Sequence, residues 1–457
     1  MSDAVPADLV SKTWTRVPEP PTAIPSSADV VIIGGGIIGV STAWFLAKRG
    51  IDVAVCEKGH VAGEQSGRNW GWVRQQGRDP REMPMIVESL RIWRELGDEI
   101  GEDLGYRQHG ILYLINDDKQ LERYAAWAKF AEEYETGTRL IDRNELPRFV
   151  RGNAVEWRGA LYTPTDGRAE PHRAAPALAR AVARHGGTVL TGCAVRGIET
   201  RAGHVSAVVT EHGAIRTSTV LCAAGAWTSM FCRSLGIRVP QLRVRGTVCR
   251  TAPAKKVCEG AMSDRNLALR RRLDGGYTLA QGSTIDHPVT PSTLRFGTQF
   301  VRALMMDARS MRLSLGREFF DELATPTRWS LDRESPFERC RVLNPKPNPK
   351  ILGHIRTQFD ATFPELAGTP IVESWAGMIE TTPDVVPVID EAPGLTGFHI
   401  ATGFSGHGFG IGPGAGKAIA GLLTGDDVGL DVSAFRLGRF SDGPEMIRGV
   451  LASSMRI

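Results

Sequence analysis

The sequence is poor in the features that would place it in a membrane, a disulfide scaffold or a nucleic-acid complex. No stretch reaches the ~18 uninterrupted apolar residues of a membrane-spanning helix. Cysteine is sparse: seven in 457 residues, scattered, odd in number and never spaced C-x-x-C. That usage suits reduced thiols in a cytoplasm and argues against a disulfide framework or a metal site. Charge of one sign is also missing, since 55 Lys and Arg against 51 Asp and Glu leave a formal net charge of +4. With no basic stripe interleaved with aromatics, nucleic acid is not an expected partner. The short run Arg270-Arg271-Arg272 reads as a solvated turn. Residues 1–27 are polar and broken by Pro6, Pro18, Pro20, Pro21 and Pro25, without the apolar centre of a signal peptide. The expectation is a soluble cytoplasmic protein, long enough for two or three domains, with no internal repeat and no sustained low-complexity tract.

What is present begins at Asp29-Val30-Val31-Ile32-Ile33-Gly34-Gly35-Gly36-Ile37-Ile38-Gly39. The Val/Ile run reads as a buried parallel strand. Gly34, Gly36 and Gly39 then fall at the G-x-G-x-x-G spacing, and a helix-like segment covers Val40 to Arg49. In such a unit the first glycine makes the turn, the second admits a pyrophosphate and the third lets helix and strand close up. The helix N-terminus faces the anion with free N–H groups. A second strand, Ile51 to Cys56, ends at Glu57, whose carboxylate can accept hydrogen bonds from a ribose. Strand, turn, helix and acid together predict dinucleotide binding, which the glycine spacing alone would not.

Gly63 to Gln76 follows, with Ser66, Gly67, Arg68, Asn69, Trp70, Gly71, Trp72 and Arg74. It is too polar for a core strand and too rich in glycine for a stable helix. It reads as a loop wrapping a ligand, or else as a surface loop whose tryptophans pack on neighbouring helices. Helical patterns at Arg81 to Gly97 and Lys119 to Glu135, with a strand from Gly110 to Ile115, resemble an insertion outside the nucleotide fold. An alanine-rich helix, Pro171 to His185, then leads to strands beginning near Thr188, Val195, Val205 and Ala214. A buried strand at Thr219 ends in the small residues Ala223-Ala224-Gly225-Ala226 before Trp227, as expected where the chain re-enters the nucleotide fold. Residues 240–370 carry strands at Gln241 to Thr251 and Gly276 to Gln281, and a loop at Asn344 to Pro349. Finally a strand, Gly397 to Gly403, precedes a glycine-rich turn from Phe404 to Gly416 and a helix from Lys417 to Leu423. A helix start stripped of side chains offers amides and a positive dipole end to a negative group. Two such turns, one at each end of the chain, suit a flavin dinucleotide better than a nicotinamide one.

On these residues the chain resembles the glycine oxidase, D-amino-acid oxidase and sarcosine oxidase family of FAD-dependent amine oxidoreductases. The resemblance is carried by the Gly34–Glu57 fingerprint, by Ala223 to Trp227, by Trp375 to Asp390 and by Gly403-Phe404-Ser405-Gly406-His407-Gly408-Phe409. The segment Ser66 to Asn69 is similar to one in gamma-glutamylputrescine oxidases. The resemblance implies an α/β fold. It has a Rossmann-like FAD-binding domain, GR2-type and discontinuous (28–80, 151–235 and 370–457), behind an N-terminal extension (1–27). A second α+β substrate domain (81–150 and 236–369) is built on a mainly antiparallel sheet. The implied reaction is hydride transfer from the C–N carbon of an amino acid or secondary amine to flavin N5, giving an imine that hydrolyses, with oxygen or a quinone as electron acceptor. A polyamine-type oxidase without carboxylate recognition, and a flavoprotein subunit passing electrons to a partner, stand as alternatives.

Implied cofactor contacts are Gly34, Gly36, Ile38, Gly39, Glu57, Lys58, Ser66 to Gly71, Val195, Ala224, Gly225, Trp227, Gly403, Gly406, His407, Gly408, Phe409 and Gly410. Sarcosine oxidases tether FAD through a cysteine shortly before a Thr-Pro-Asp segment. Thr382-Pro383-Asp384 is present here, but Gly377 stands at the tether position, so FAD is expected to be non-covalent. Trp375-Ala376-Gly377 is followed by Met378-Ile379-Glu380 and lacks the arginine that binds carboxylate in glycine and D-amino-acid oxidases. Gly410 also replaces a lysine of sarcosine oxidases. Arg74 is then the first choice for holding a substrate carboxylate and Arg68 the second, with a loop-bracing ion pair as the other reading of Arg74. His407 is expected to hydrogen-bond near the ring or be satisfied by its own loop. Glu380 is a candidate receiver for a cationic substrate group, and Tyr277 a candidate for lining the substrate site.

Overall fold

The first strand, Val30–Ile33, is a wholly buried four-residue apolar run, and its position explains most of the architecture. It pairs in parallel with Val53–Cys56 on one side and with Thr219–Cys222 on the other, in register from Val30 to Ile33. Phe398–Thr402 adds in parallel beyond Thr219–Cys222, Thr188–Leu190 beyond Val53–Cys56, and Val388–Glu391 closes the edge antiparallel. Six strands thus form a mostly parallel sheet in the order Val388, Phe398, Thr219, Val30, Val53, Thr188, naming each by its first residue. Neighbouring strands of one direction put their C-terminal ends on one edge. Ile33, Cys56, Cys222 and Thr402 therefore deliver the four loops that follow them to the same place, around the point where strand order reverses.

The computed structural model describes residues 23–282, 285–307 and 311–441. Most of the expected N-terminal extension, residues 1–22, and the end of the last FAD-binding segment, 442–457, lie outside them. A second sheet of ten strands is antiparallel except where Ala261–Ser263 meets Ile111–Ile115 and Ile285–Val289 meets Met311–Leu315. Its spine is the long pair Leu242–Thr251 and Ile371–Thr381, in which Gly246 faces Gly377 and Arg243 faces Glu380. Gly159–Thr163 and Ile371–Thr381, assigned from the sequence to the FAD-binding segments, pair into this second sheet instead. A three-stranded meander, Val195–Arg201, His204–Thr210 and Gly213–Arg216, stands apart.

Ile37–Ala47 packs on the parallel sheet and against Gly408–Thr424, which packs in turn against Met83–Ile100. Gly408–Thr424 corrects the expected glycine loop, because the helix begins at Gly408 rather than Lys417 and runs through Pro413. Glycine costs helix stability in isolation, so packing must supply the reason. A Cβ on Gly414 would lie 2.3 Å from the Met85 carbonyl oxygen, and one on Gly416 2.5 Å from Ser41 Cβ. These glycines let three helices approach almost backbone to backbone. Arg270 likewise departs from a solvated turn: it lies in the strand Ala268–Arg271, fully buried and paired with Glu170 at 2.9 Å. All seven cysteines are unpaired, and no helix among the described residues is long and apolar enough to cross a membrane.

Candidate functional site

The loop after the first strand is shaped by close approach. Gly34 has φ +112°, and a Cβ there would sit 2.5 Å from the Ala223 carbonyl oxygen. A Cβ on Gly39 would strike the Gly34 oxygen at 2.1 Å, so this third glycine serves helix–strand contact and does not line the cavity. Gly36 keeps the helix entry open beside Ser66, whose Oγ accepts the Ile37 N–H at 2.8 Å. Ser66 therefore satisfies one of the N–H groups that the helix start leaves without an intrahelical acceptor.

Glu57 ends the neighbouring strand with its carboxylate turned back on the turn. Its Oε2 accepts the Gly35 N–H and its Oε1 the Gly59 N–H, both at 2.7 Å. Burial raises its pKa, with Lys58 and these two amides pulling the other way. A carboxylate has about four acceptor positions, so two remain for hydroxyls. Beside it, Lys58 pairs with Glu64 at 2.7 Å and stacks over Trp227, whose indole N–H donates to Glu64 at 3.0 Å.

A single cavity runs from these turns to the second sheet. Gly34, Gly36, Ile38, Glu57, Lys58, Val195, Ala224, Gly225 and Trp227 line it at the parallel-sheet edge. Ser66, Arg68, Asn69, Trp70, Arg74, Glu380, Gly406, His407, Gly408 and Phe409 line it further along. The residues expected from the two ends of the sequence are thus brought together. Gly67, Gly71, Gly403 and Gly410 stand behind the wall. At Gly410 a Cβ would lie 3.2 Å from the Trp72 carbonyl oxygen, so this glycine seats the short strand Trp72–Val73 that leads into Arg74.

Tyr277 is corrected. It is wholly buried in the core of the second sheet, in contact with Phe359, and is absent from the cavity lining. Its hydroxyl donates to the Lys255 carbonyl and accepts the Val257 N–H. Arg68 is a brace: its Nε and Nη2 donate to the Gly63 carbonyl, and its Nη1 to the Ala376 carbonyl and Asn344 Oδ1. Arg74 is 5% exposed, donates through Nη1 to the Gln76 carbonyl, and lies 5.5 Å above the Tyr113 ring. Neither expected ion pair nor exposed loop describes it.

Glu380 is buried in the cavity wall, and its Oε2 has no hydrogen-bond partner. Burial pushes its pKa up to about 7 against hydrogen bonds from Gln65 and the Phe404 backbone. His407 caps the helix Gly408–Thr424 by position, its own N–H donating to the Phe404 carbonyl at 2.7 Å. Burial and then Arg78 push its ring down to about 4, so it is neutral at neutral pH despite Glu82, whose Oε1 stands 3.6 Å from Nδ1.

Sequence reasoning passed over Arg78 and Glu82, both buried here, and the second-sheet lining residues Arg245, Thr247, Gln281 and Asp286. The dense charge of Arg78-Asp79-Pro80-Arg81-Glu82, directly after the tryptophan loop, was the available signal. Arg245 is held by Asp286 at 2.8 Å. The Thr382-Pro383-Asp384 segment has a structural use: Asp384 binds Arg81 at 2.9 Å and receives two N–H groups of the buried Arg439.

Comparison with known proteins agrees with this geometry. The family described as FAD dependent oxidoreductase (DAO) matches residues 29–422, and the chain belongs to that family. Its structure is similar to L-amino acid deaminase from Proteus myxofaciens in complex with anthranilate, with TM-score 0.89 and 34% identity over 93% of this chain and 96% of that one. L-amino acid deaminase from Proteus vulgaris gives 0.88 and 30%, over 92% and 99%. Sarcosine oxidase subunit beta of Arthrobacter sp is 25% identical over 438 residues, 94% of each chain. Mitochondrial sarcosine dehydrogenase of Mus musculus is 27% identical over 437 residues, 93% of this chain. The chain spans less than half the length of that protein and of its human counterpart, 42% and 44%.

FAD fits the residues present. The Gly34 and Gly36 approaches leave a side-chain-free cradle, Glu57 keeps acceptor capacity beside it, and buried polar atoms of Glu380 and Arg78 are left without partners along the same cavity.

Proposed function

We propose that this chain uses FAD to oxidise the C–N bond of an amino acid or a secondary amine, giving an imine that hydrolyses in water. When bound, FAD supplies the two-electron acceptor. The observation that carries the reading is the one cavity that joins the dinucleotide turns to Glu380, Arg74, Arg78 and His407. The reading draws on the similarity to L-amino acid deaminases and to sarcosine oxidase subunit beta.

In this reading Gly34, Gly36, Ser66 and Glu57 hold the dinucleotide, without a covalent tether, since Gly377 offers no side chain to attach. An amine must be neutral before its carbon gives up a hydride. Glu380, with its pKa raised to about 7, takes the ammonium proton on its unpartnered Oε2. His407, neutral and walled in, excludes water from the helix start. Arg74 and Arg78 orient an anionic group, so that positioning supplies much of the rate. Oxygen or a quinone then takes the electrons, and the cytoplasm is the proposed compartment.

Anaerobic mixing of the yellow protein with D- and L-amino acids, N-methyl amino acids, cyclic imino acids and polyamines tests this. Bleaching of the flavin band by a member of the first three groups is expected. Bleaching by polyamines alone, or by nothing in the panel, would overturn it.

A further inference from the structure

The large cavity has a smaller neighbour. It lies where the helix Thr228–Ser234, the strand Leu242–Thr251, the start of the helix Pro291–Asp307 and the helix Arg317–Ala324 meet. Ala226 lines both cavities, so the wall between them is one residue thick at that point. Three arginines line the smaller one, Arg233, Arg243 and Arg295, against one carboxylate, Glu322.

Most of these groups are already engaged. Glu322 Oε1 accepts the Ser292 N–H at 2.8 Å and the Ser292 hydroxyl as well. Arg243 donates through Nε to the Ala226 carbonyl at 2.9 Å, and its guanidinium lies 5.3 Å from the centre of the Trp227 ring. Ser229 and Gln241 donate to the Val239 and Gly225 carbonyls. Arg295 is exposed at the rim. Arg233 differs: its Nε and Nη2 are both buried, and neither has a hydrogen-bond partner. Burial lowers its pKa, Arg295 and Arg243 lower it further, and Glu322 opposes them. Buried donors of a charged group left without an acceptor are costly.

The formal charges do not balance either. Among the described residues of the lining, three arginines face one carboxylate. Glu64 also acts on Arg243, but it is paired with Lys58 at 2.7 Å and the two cancel. Two positive charges are left over. Water would satisfy the N–H groups and leave the charge. A doubly charged oxyanion answers both, and it suits the planar fork of a guanidinium.

We infer that this second cavity binds a phosphate-type oxyanion, which Arg233 holds through Nε and Nη2 while Arg243 and Arg295 supply charge from the sides. Two sources share that chemistry. One is free inorganic phosphate. The other is a phospholipid headgroup, because Leu294 and Leu323 stand 73% and 64% exposed beside Arg295 and Glu322.

The test uses the FAD-loaded protein, whose retained flavin spectrum reports that each variant is folded. Calorimetric titrations with inorganic phosphate, and with chloride at matched ionic strength, form one arm. Sedimentation with phosphatidylcholine vesicles, with and without phosphatidic acid, forms the other. Wild type should bind phosphate at least about tenfold more tightly than chloride, or vesicles with phosphatidic acid at least about tenfold more tightly than those without. The first result identifies a dissolved ligand and the second a lipid one. Arg233→Met should weaken whichever binds roughly 30-fold. Arg233→Lys keeps the charge without the fork and should fall between. Glu322→Gln keeps an oxygen for Ser292 and removes the opposing charge, so it should tighten binding at least about threefold. Damage to the fold would not produce a gain. If Arg233→Met does not fold, Glu322→Gln decides. The inference is overturned if wild type shows neither preference, if Arg233→Met binds within about twofold of wild type, or if Glu322→Gln fails to tighten binding.

Discussion

Replacing Glu380 with Gln should make the protein more stable at alkaline pH and change it little in acid. The carboxyl is buried, and its pKa is raised from 4.5 to about 7 by burial. Because the folded value lies above the unfolded one, the native state holds a proton that the unfolded chain has released between those two values. Stability is therefore fully present below the unfolded pKa and is lost as pH rises through the folded pKa. A shift of this size corresponds to about 3 kcal/mol when complete, and to roughly 2.5 kcal/mol between about pH 5 and about pH 8. Gln has the same shape and does not titrate. Urea unfolding of both proteins at saturating FAD, at pH values across that window, gives the difference directly. Asp166 also titrates there but is common to both proteins and cancels. A Glu380→Gln difference that stays constant with pH would refute the reasoning. A constant difference would mean that the carboxylate is already compensated in the folded state.

Other outcomes follow from single contacts. Tyr277→Phe leaves the Lys255 carbonyl and Val257 N–H without their hydroxyl partner, and should cost about 1–3 kcal/mol in urea unfolding. Its kcat and KM should be unchanged, which distinguishes a core tyrosine from a substrate contact. Asp384→Asn removes the counter-charge of the buried Arg439, and should cost about 3–5 kcal/mol. When Arg81 is replaced, Asp384 still keeps Arg439 at 3.0 Å, so a smaller loss is expected from Arg81→Met than from Asp384→Asn.

The local units were readable because their causes are local. A Val/Ile run, glycines at fixed offsets and an acid after the next strand need no knowledge of the rest of the chain, and Val30–Ile33, Gly34 and Glu57 lie as expected. Periodicity also found Pro171–Arg184 and the strand Phe398–Thr402 to within a few residues. What was missed depends on distant neighbours. The glycines from Gly410 to Gly416 look like a loop until Ser41, Met85 and Trp72 are seen pressed against them. Arg270 looks like a surface charge until Glu170, a hundred residues earlier, comes to meet it. Tyr277 could not be placed from the sequence, because all four residues of Tyr277–Ala280 are buried and strand alternation gives no sign of which face meets the cavity. Arg78 and Glu82 carry no motif at all: their interest is their burial, which composition argues against.

Acid precipitation of the purified protein, followed by the absorbance spectrum of the supernatant, tests the central claim most directly. The account predicts a yellow protein that releases one FAD per chain into solution. A colourless protein that takes up no added FAD, or colour that stays with the precipitate, would contradict it.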